Sequence, residues 1–222
     1  MKAMILAAGR GERLRPLTDT CPKPLLQVGG KALIVHHLEA LAAAGVHEVV
    51  INLAWLGEQI RDALGDGADF GVRLGYSQEP PGALETAGGI VQALPLLGDE
   101  PFLMISGDVL CDYPLGQLQG FRPQGLGHLV LVDNPEHHPG GDFAIGANSR
   151  LLSGGGMTFS GIAVLDPGLF ADLPPGRRAL RPVFERAIAQ ERLSGEHYRG
   201  LWSDIGTAKR LAEAQELRAK AD

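Results

Sequence analysis

The sequence predicts an α/β fold, a doubly wound mixed sheet carrying a small antiparallel insertion. Three observations lead there. Short apolar runs alternate with segments of helical spacing between residues 2 and 133. A glycine-rich segment follows the first apolar run directly. Beyond residue 135 the alternation gives way to closely spaced turns. Alternation of the first kind builds parallel βαβ units with right-handed crossovers, whose ligands sit beyond the carboxyl ends of the strands.

Taken in order, residues 2–7 read as a buried strand. Residues 32–44 form a helix, with Leu33, Ile34, Leu38, Leu41 and Ala42 on one face and Gly45 as its stop. Residues 46–53 are a strand, 58–64 a helix and 72–76 a strand. A helix at 86–94 is expected to end before Pro95, since an interior proline removes a backbone donor. Strands follow at 101–105 and 128–133, completing a Rossmann-like pattern. The stretch "NPEHHPGGDF" is rich in turn residues, and "GANSRLLSGGGMTFSGIAVLD" reads as short antiparallel strands forming a lid over a substrate. An amphipathic helix at 207–221, with Leu211, Ala214 and Leu217, closes the pattern. We expect one domain over 1–222, with an alternating part at about 1–134, the insertion at 135–205 and the last helix at 206–221.

Composition limits the function. The 222 residues are 45% hydrophobic and 21% charged, as in ordinary globular proteins. No apolar run approaches the roughly 20 residues of a membrane span, and the opening run reads as a strand rather than a leader because it enters an arginine-rich loop. A net charge of −6 argues against a nucleic-acid partner. Positive charge gathers instead in Arg10, Arg13, Arg15 and Lys23, diluted by Glu12 and Asp19, as a local anion site would need. Two cysteines, Cys21 and Cys111, lack metal-ligand spacing and suit a reduced, cytoplasmic protein with free thiols.

The segment "ILAAGRGERLRPLTDTCPKPLL" carries the chemistry. It fails the dinucleotide fingerprint, because Leu14 stands where the third glycine belongs, and it lacks the Gly-Lys-Ser/Thr of a P-loop. Gly9 and Gly11 nevertheless let backbone N–H groups approach an anion. Arg13 supplies a planar fork and Lys23 a point charge. Pro22 and Pro24 stiffen the chain around Lys23 and are expected to forbid a helix there. Residue by residue, a solvated basic loop explains these features as well; their combination after a buried strand favours a polyphosphate site. Asp108 ends an apolar strand, where a carboxylate has no packing role, and with Asp204 it would suffice for Mg²⁺, which takes few protein carboxylates. Taken singly, Asp108 equally caps a turn and Asp204 the last helix. Glu79 or Glu85 could accept from a base N–H, or serve as first-turn acids favoured by the helix dipole.

The same segment resembles the signature of the sugar-1-phosphate nucleotidylyltransferases, and "LETAGGI", "ISGDVL" and "WSDIGT" match further family segments in family order. The resemblance implies the nucleotide-diphospho-sugar transferase type of fold. It implies a nucleoside triphosphate, UTP, held by Ala7, Gly9, Gly11, Glu12, Arg13 and Lys23, with Arg13 and Lys23 catalytic. Glu79, Glu85, Gly88 and Ser106 would lie at the nucleotide, Asp108 and Asp204 at Mg²⁺, and Asp142, Thr158, Gly161 and Trp202 at a sugar 1-phosphate. Two departures stand out. Glu85 replaces a glycine of many relatives, and no lysine matches the family's Val-Glu-Lys-Pro segment, so Arg150 or Arg199 would substitute, or the pocket is shaped for a bulky 3-substituent such as lactyl. A monomer or small homo-oligomer is expected. Hexose 1-phosphate enzymes, a phosphocholine cytidylyltransferase using Trp55, Trp202 and Tyr198, and a non-catalytic nucleotide-sugar sensor are the rivals. His137, His138 and His197, lacking a paired nucleophile, read as loop residues.

Overall fold

The computed structural model describes residues 1–219. Its strands of three or more residues, in chain order, are β1 (Ala3–Leu6), β2 (Glu48–Leu53), β3 (Arg73–Gln78), β4 (Phe102–Ser106), β5 (Val109–Cys111), β6 (Gly127–Val132), β7 (Phe143–Ile145), β8 (Leu151–Ser153), β9 (Thr158–Leu165), β10 (Leu193–Tyr198) and β11 (Trp202–Asp204). The helices are α1 (Leu33–Ala43), α2 (Gly57–Leu64), α3 (Glu85–Leu97), α4 (Arg181–Ala189) and α5 (Ala208–Ala219).

Seven strands form the central sheet in the order β10-β6-β9-β4-β1-β2-β3. The pairs β4–β1, β1–β2, β2–β3 and β6–β10 are parallel, while β9 runs antiparallel to both β4 and β6. Side chains alternate across the sheet, so Ala3 and Ile5 enter the core beside α1, and Met4 enters the core beside α3 and α4. Both faces are covered, which is why β1 is apolar throughout and β4 is apolar up to Ser106 at its end.

Three differences from the sequence reading have physical causes. First, α3 runs through Pro95 to Leu97. Proline forfeits one hydrogen bond in the last turn, and burial of Ala93 and Leu97 in the core offsets that loss. Second, the insertion is not a separate layer: the β7–β8 hairpin stands apart and β11 pairs with β5, whereas β9 crosses the middle of the main sheet and β10 forms its edge. Third, α4 and β10 had no assignment. Pro182 starts α4 and Val183, Phe184, Ala187 and Ile188 are its buried face, but β10 is a polar edge strand, "LSGEHY", whose composition conceals it.

A third apolar cluster positions the site. Leu14, Leu26 and Val28 from the opening segment pack with Leu110, Ile205, Leu211 and Ala214, joining the two ends of the chain. β11 pairs antiparallel with β5, Asp204 opposite Val109, and Ile205 N donates to the Asp108 carbonyl at 2.7 Å.

His37, on α1, is buried, and its Nε2 has no hydrogen-bond partner among the described residues. Burial, then neighbouring His36, push its pKa down to about 4, against an upward pull from Asp108 and from the Val109 backbone. The unfolded chain therefore binds the extra proton first, and this contribution to stability is complete above about pH 6.5 and lost as pH falls to 4. Urea unfolding of His37→Leu across that window should show an acid-side stability loss smaller than wild type by about 3 kcal/mol; an unchanged acid limb would refute the assignment.

Candidate active site

The opening loop is held in shape by its own backbone. Gly11 has φ +67°, which favours glycine, and a Cβ there would lie 2.9 Å from a Thr18 methyl carbon. Its carbonyl accepts from Leu14 N at 2.9 Å and Thr18 Oγ1 at 2.8 Å. The expectation that Pro22 and Pro24 forbid helical structure needs correction: Lys23–Leu25 form one 3₁₀ turn. Its hydrogen bonds come from Leu25 and Leu26, so neither proline is asked for a donor. The turn aims Lys23 inward. Lys23 is only 8% exposed, and its Nζ meets Asp108 Oδ2 at 2.5 Å.

Ser106, at the end of β4, lines three adjoining hollows. The first contains Ala7, Gly9, Gly11, Lys23, Glu79, Glu85 and Asp108. The second contains Asp142 and Arg181 above an apolar floor that includes Phe159 and Phe184. The third contains Arg13, Asp108, Thr158, Gly161, Trp202 and Asp204. The expected residues therefore converge along one cleft, with two exceptions. Glu12 is exposed and lines none of these hollows. Gly88 packs beneath the segment 176–178, where a Cβ would lie 2.2 Å from the Gly176 carbonyl oxygen, and its N–H donates to Arg178 O at 3.3 Å.

Other basic residues serve elsewhere. Arg10 lies over the Trp55 ring at 4.4 Å, Arg15 pairs with Asp19 at 3.1 Å, and Arg150 pairs with Glu191 outside the cleft. Arg199 is exposed and lines none of the three hollows. Neither Arg150 nor Arg199 lines the cleft. Of the opening cations, only Arg13 and Lys23 face the cleft.

Glu79 and Glu85 play different parts. Glu79 is buried; its Oε1 accepts from Asn52 Nδ2 at 2.7 Å and its Oε2 from Leu84 N at 2.7 Å. Asn52 Oδ1 in turn accepts from Ala7 N at 2.8 Å, so three strand ends and the turn before α3 are tied by one network. Glu85 has φ +58°, a conformation that favours glycine, and it pairs with Arg177 at 2.9 Å. Sequence reasoning passed over Asn52, although an amide ending an apolar strand was a usable signal.

Asp108 and Asp204 are not equivalent. The Asp108 side chain is 43% exposed and only its Oδ2 takes part in the lysine pair. Asp204 receives Arg210 Nη1 on both oxygens, at 2.6 and 2.5 Å, and His137 Nε2 lies 3.0 Å away. Arg210 itself is buried. It lies on α5 and carried no motif that could have revealed it. A Cβ at Gly206 would lie 3.0 Å from Arg13 Nη2, so Arg13, Arg210 and Asp204 share this corner. Among the described residues no group of three or more His, Cys, Asp or Glu side chains could hold a metal.

At the other end, Asp142 accepts from Phe159 N at 2.9 Å and lies 3.2 Å from His138 and 3.4 Å from Arg181. Thr158 Oγ1 donates to Asn134 Oδ1 at 2.8 Å, and Trp202 Nε1 to Ser160 O at 2.8 Å. Gly161, at the β9 bulge, has φ +84°, and a Cβ there would lie 2.6 Å from Ser106 Oγ. His197 pairs with Asp133 at 2.9 Å, whereas His137 and His138 line the third hollow rather than a free loop. Cys21 and Cys111 are free, and burial pushes the Cys111 thiol up to about 11.

Residues 2–143 match the nucleotidyl transferase family model. The chain belongs to the nucleotidyl transferase family. It is 54% identical over 226 residues to the N-acetylmuramate alpha-1-phosphate uridylyltransferase of Neisseria meningitidis, covering 98% of both chains. It is 34% identical over 231 residues to the protein of the same name from Caulobacter vibrioides, covering 96% of each. A putative glucose-1-phosphate thymidylyltransferase structure from Bacillus anthracis superposes with a TM-score of 0.86 at 22% identity, over 98% of this chain and 94% of that one, a likeness of fold. As a member of this family the chain is a nucleotidyltransferase.

Asn52→Ala should lower stability by about 1–3 kcal/mol, because it strands the buried Ala7 N–H and one Glu79 oxygen. Urea unfolding measures this; a change below about 0.5 kcal/mol would show that the network is not a structural tie.

Proposed function

We infer that this nucleotidyltransferase transfers a uridylyl group from UTP to N-acetylmuramic acid α-1-phosphate, giving the UDP-sugar and pyrophosphate. The observation that carries the reading is the convergence of Lys23, Asp108, Ser106, Arg13 and Asp204 on one cleft, in a chain 54% identical to a relative named for that activity. The acceptor is a cell-wall sugar, which places the reaction in peptidoglycan recycling in the cytoplasm. No described helix is long and apolar enough to cross a membrane.

The nucleotide lies in the first hollow. The backbone at Gly9 and Gly11 approaches the triphosphate, Lys23 and Arg13 neutralise it, and the turn ordered by Glu79 leads to the base. Glu85 lies at the base end but is engaged by Arg177, so its role there is orientation of the turn. The acceptor lies in the second and third hollows, beside Asp142, Thr158, Gly161 and Trp202, with its phosphate toward Ser106 and Arg13. A phosphate oxygen of the acceptor forms a bond to the α-phosphorus as the bond to pyrophosphate breaks. The attacking oxygen is already ionised at neutral pH, so the chain supplies alignment and charge neutralisation rather than a general base.

A divalent cation such as Mg²⁺ would supply charge neutralisation at the phosphates. Asp108, partly exposed with Oδ1 outside the lysine pair, fits such a cation. Asp204 fits less directly: Arg210 must yield an oxygen, or Asp204 acts by orienting Arg210.

Pyrophosphate release is measured with UTP and either N-acetylmuramic acid 1-phosphate or glucose 1-phosphate. The muramic acceptor should be preferred, and a preference for glucose 1-phosphate would overturn the reading. Lys23→Ala should lower kcat with the preferred acceptor by about 10²–10³, the scale of a single charge-stabilising donor. Near-wild-type turnover would remove Lys23 from the mechanism.

A further inference from the structure

The segment 177–186 carries Arg177, Arg178, Arg181 and Arg186 against a single acid, Glu185, in a chain whose net charge is −6. Arg181 lines the second hollow, and the other three line a neighbouring one that shares Glu85 and Ala179 with it. That neighbouring hollow includes neither Lys23, Arg13, Asp108 nor Asp204. Arg177, Arg178 and Arg186 are therefore set apart from the phosphate end of the cleft, whereas Arg181 shares its hollow with Ser106 but with none of Lys23, Arg13, Asp108 or Asp204.

Within the second hollow, Arg181 is the only cation, and it stands at the rim of the apolar floor. Its Nε pairs with Glu185 at 3.0 Å, while Nη1 approaches Asp142 Oδ1 only at 3.4 Å, a long contact that leaves donors free. The side chain is 54% exposed, so it can reach a ligand without first being dug out of the core. A half-exposed guanidinium fork over an apolar floor suits a group with a carboxylate on a short apolar stem.

We propose that Arg181 reads a carboxylate on the acceptor sugar, remote from its 1-phosphate, and so makes this active site selective for an acidic sugar. This rests on the uridylyltransferase reading and adds to it the feature that separates the acceptor from neutral amino sugars. The lactyl carboxylate of N-acetylmuramic acid is such a group. Arg181 acts in binding and takes no part in the transfer step.

The test compares kcat/KM for N-acetylmuramic acid 1-phosphate and N-acetylglucosamine 1-phosphate, which differ by the lactyl group, in wild type, Arg181→Ala and Arg181→Lys. Arg181→Ala should lower kcat/KM for the acidic acceptor about 10- to 100-fold, the scale of a hydrogen bond to a charged group, chiefly through KM. The neutral acceptor should change less than about twofold, and Arg181→Lys should recover part of the loss. An equal loss with both acceptors, or an unchanged preference in Arg181→Ala, would overturn the proposal while leaving the transferase reading intact. A wild-type enzyme inactive with both acceptors would instead overturn the transferase reading, and this proposal with it.

Discussion

A buried lysine facing a single carboxylate is the constraint around which this molecule is arranged. An ammonium as enclosed as that of Lys23 needs an anion close by, because leaving it unpaired would carry a large desolvation penalty. Asp108 supplies that anion from a different part of the chain, at the end of β4 and the start of β5. The pair therefore fixes the opening loop against the strand ends before any ligand arrives. It also keeps a cation and a carboxylate together where a triphosphate and a metal would each claim one of them.

The rest of the fold keeps that meeting in place. Parallel strands β4, β1 and β2 put Ser106, Ala7 and Asn52 side by side at their carboxyl ends, the location in which open α/β sheets bind ligands. The apolar cluster joining Leu14 and Leu26 to Ile205 and Leu211 then brings the end of β11 to the same edge. Reversal of β9 against β4 lets Gly161 pass so close to Ser106 that no side chain fits between them, and Ser106 there joins the three hollows of the cleft. Two acidic residues distant in sequence thus share one hollow, although their neighbours give them different characters.

Sequence disclosed much of this because its strongest signals are local. An apolar strand followed by Gly9 and Gly11, and a lysine between prolines, carry their meaning within a few residues, and so did the alternation that predicted the parallel strands. What stayed hidden depends on long-range partners. Arg210 lies six residues beyond Asp204 on a helix, and nothing in its spacing says that it closes on both carboxylate oxygens. β9 looked like part of a lid because turns precede it, yet a strand of eight residues with seven buried belongs in a central sheet. Pro95 misled for a related reason: a local cost was read as decisive where core burial outweighs it.

The most direct test is a crystal structure with a non-hydrolysable UTP analogue and Mn²⁺, located by its anomalous signal. The account predicts Mn²⁺ at the Asp108 carboxylate, triphosphate oxygens against the Gly9–Gly11 backbone, and Lys23 Nζ moved from Asp108 onto a phosphate. A triphosphate bound elsewhere, with the lysine still closed on Asp108, would contradict it.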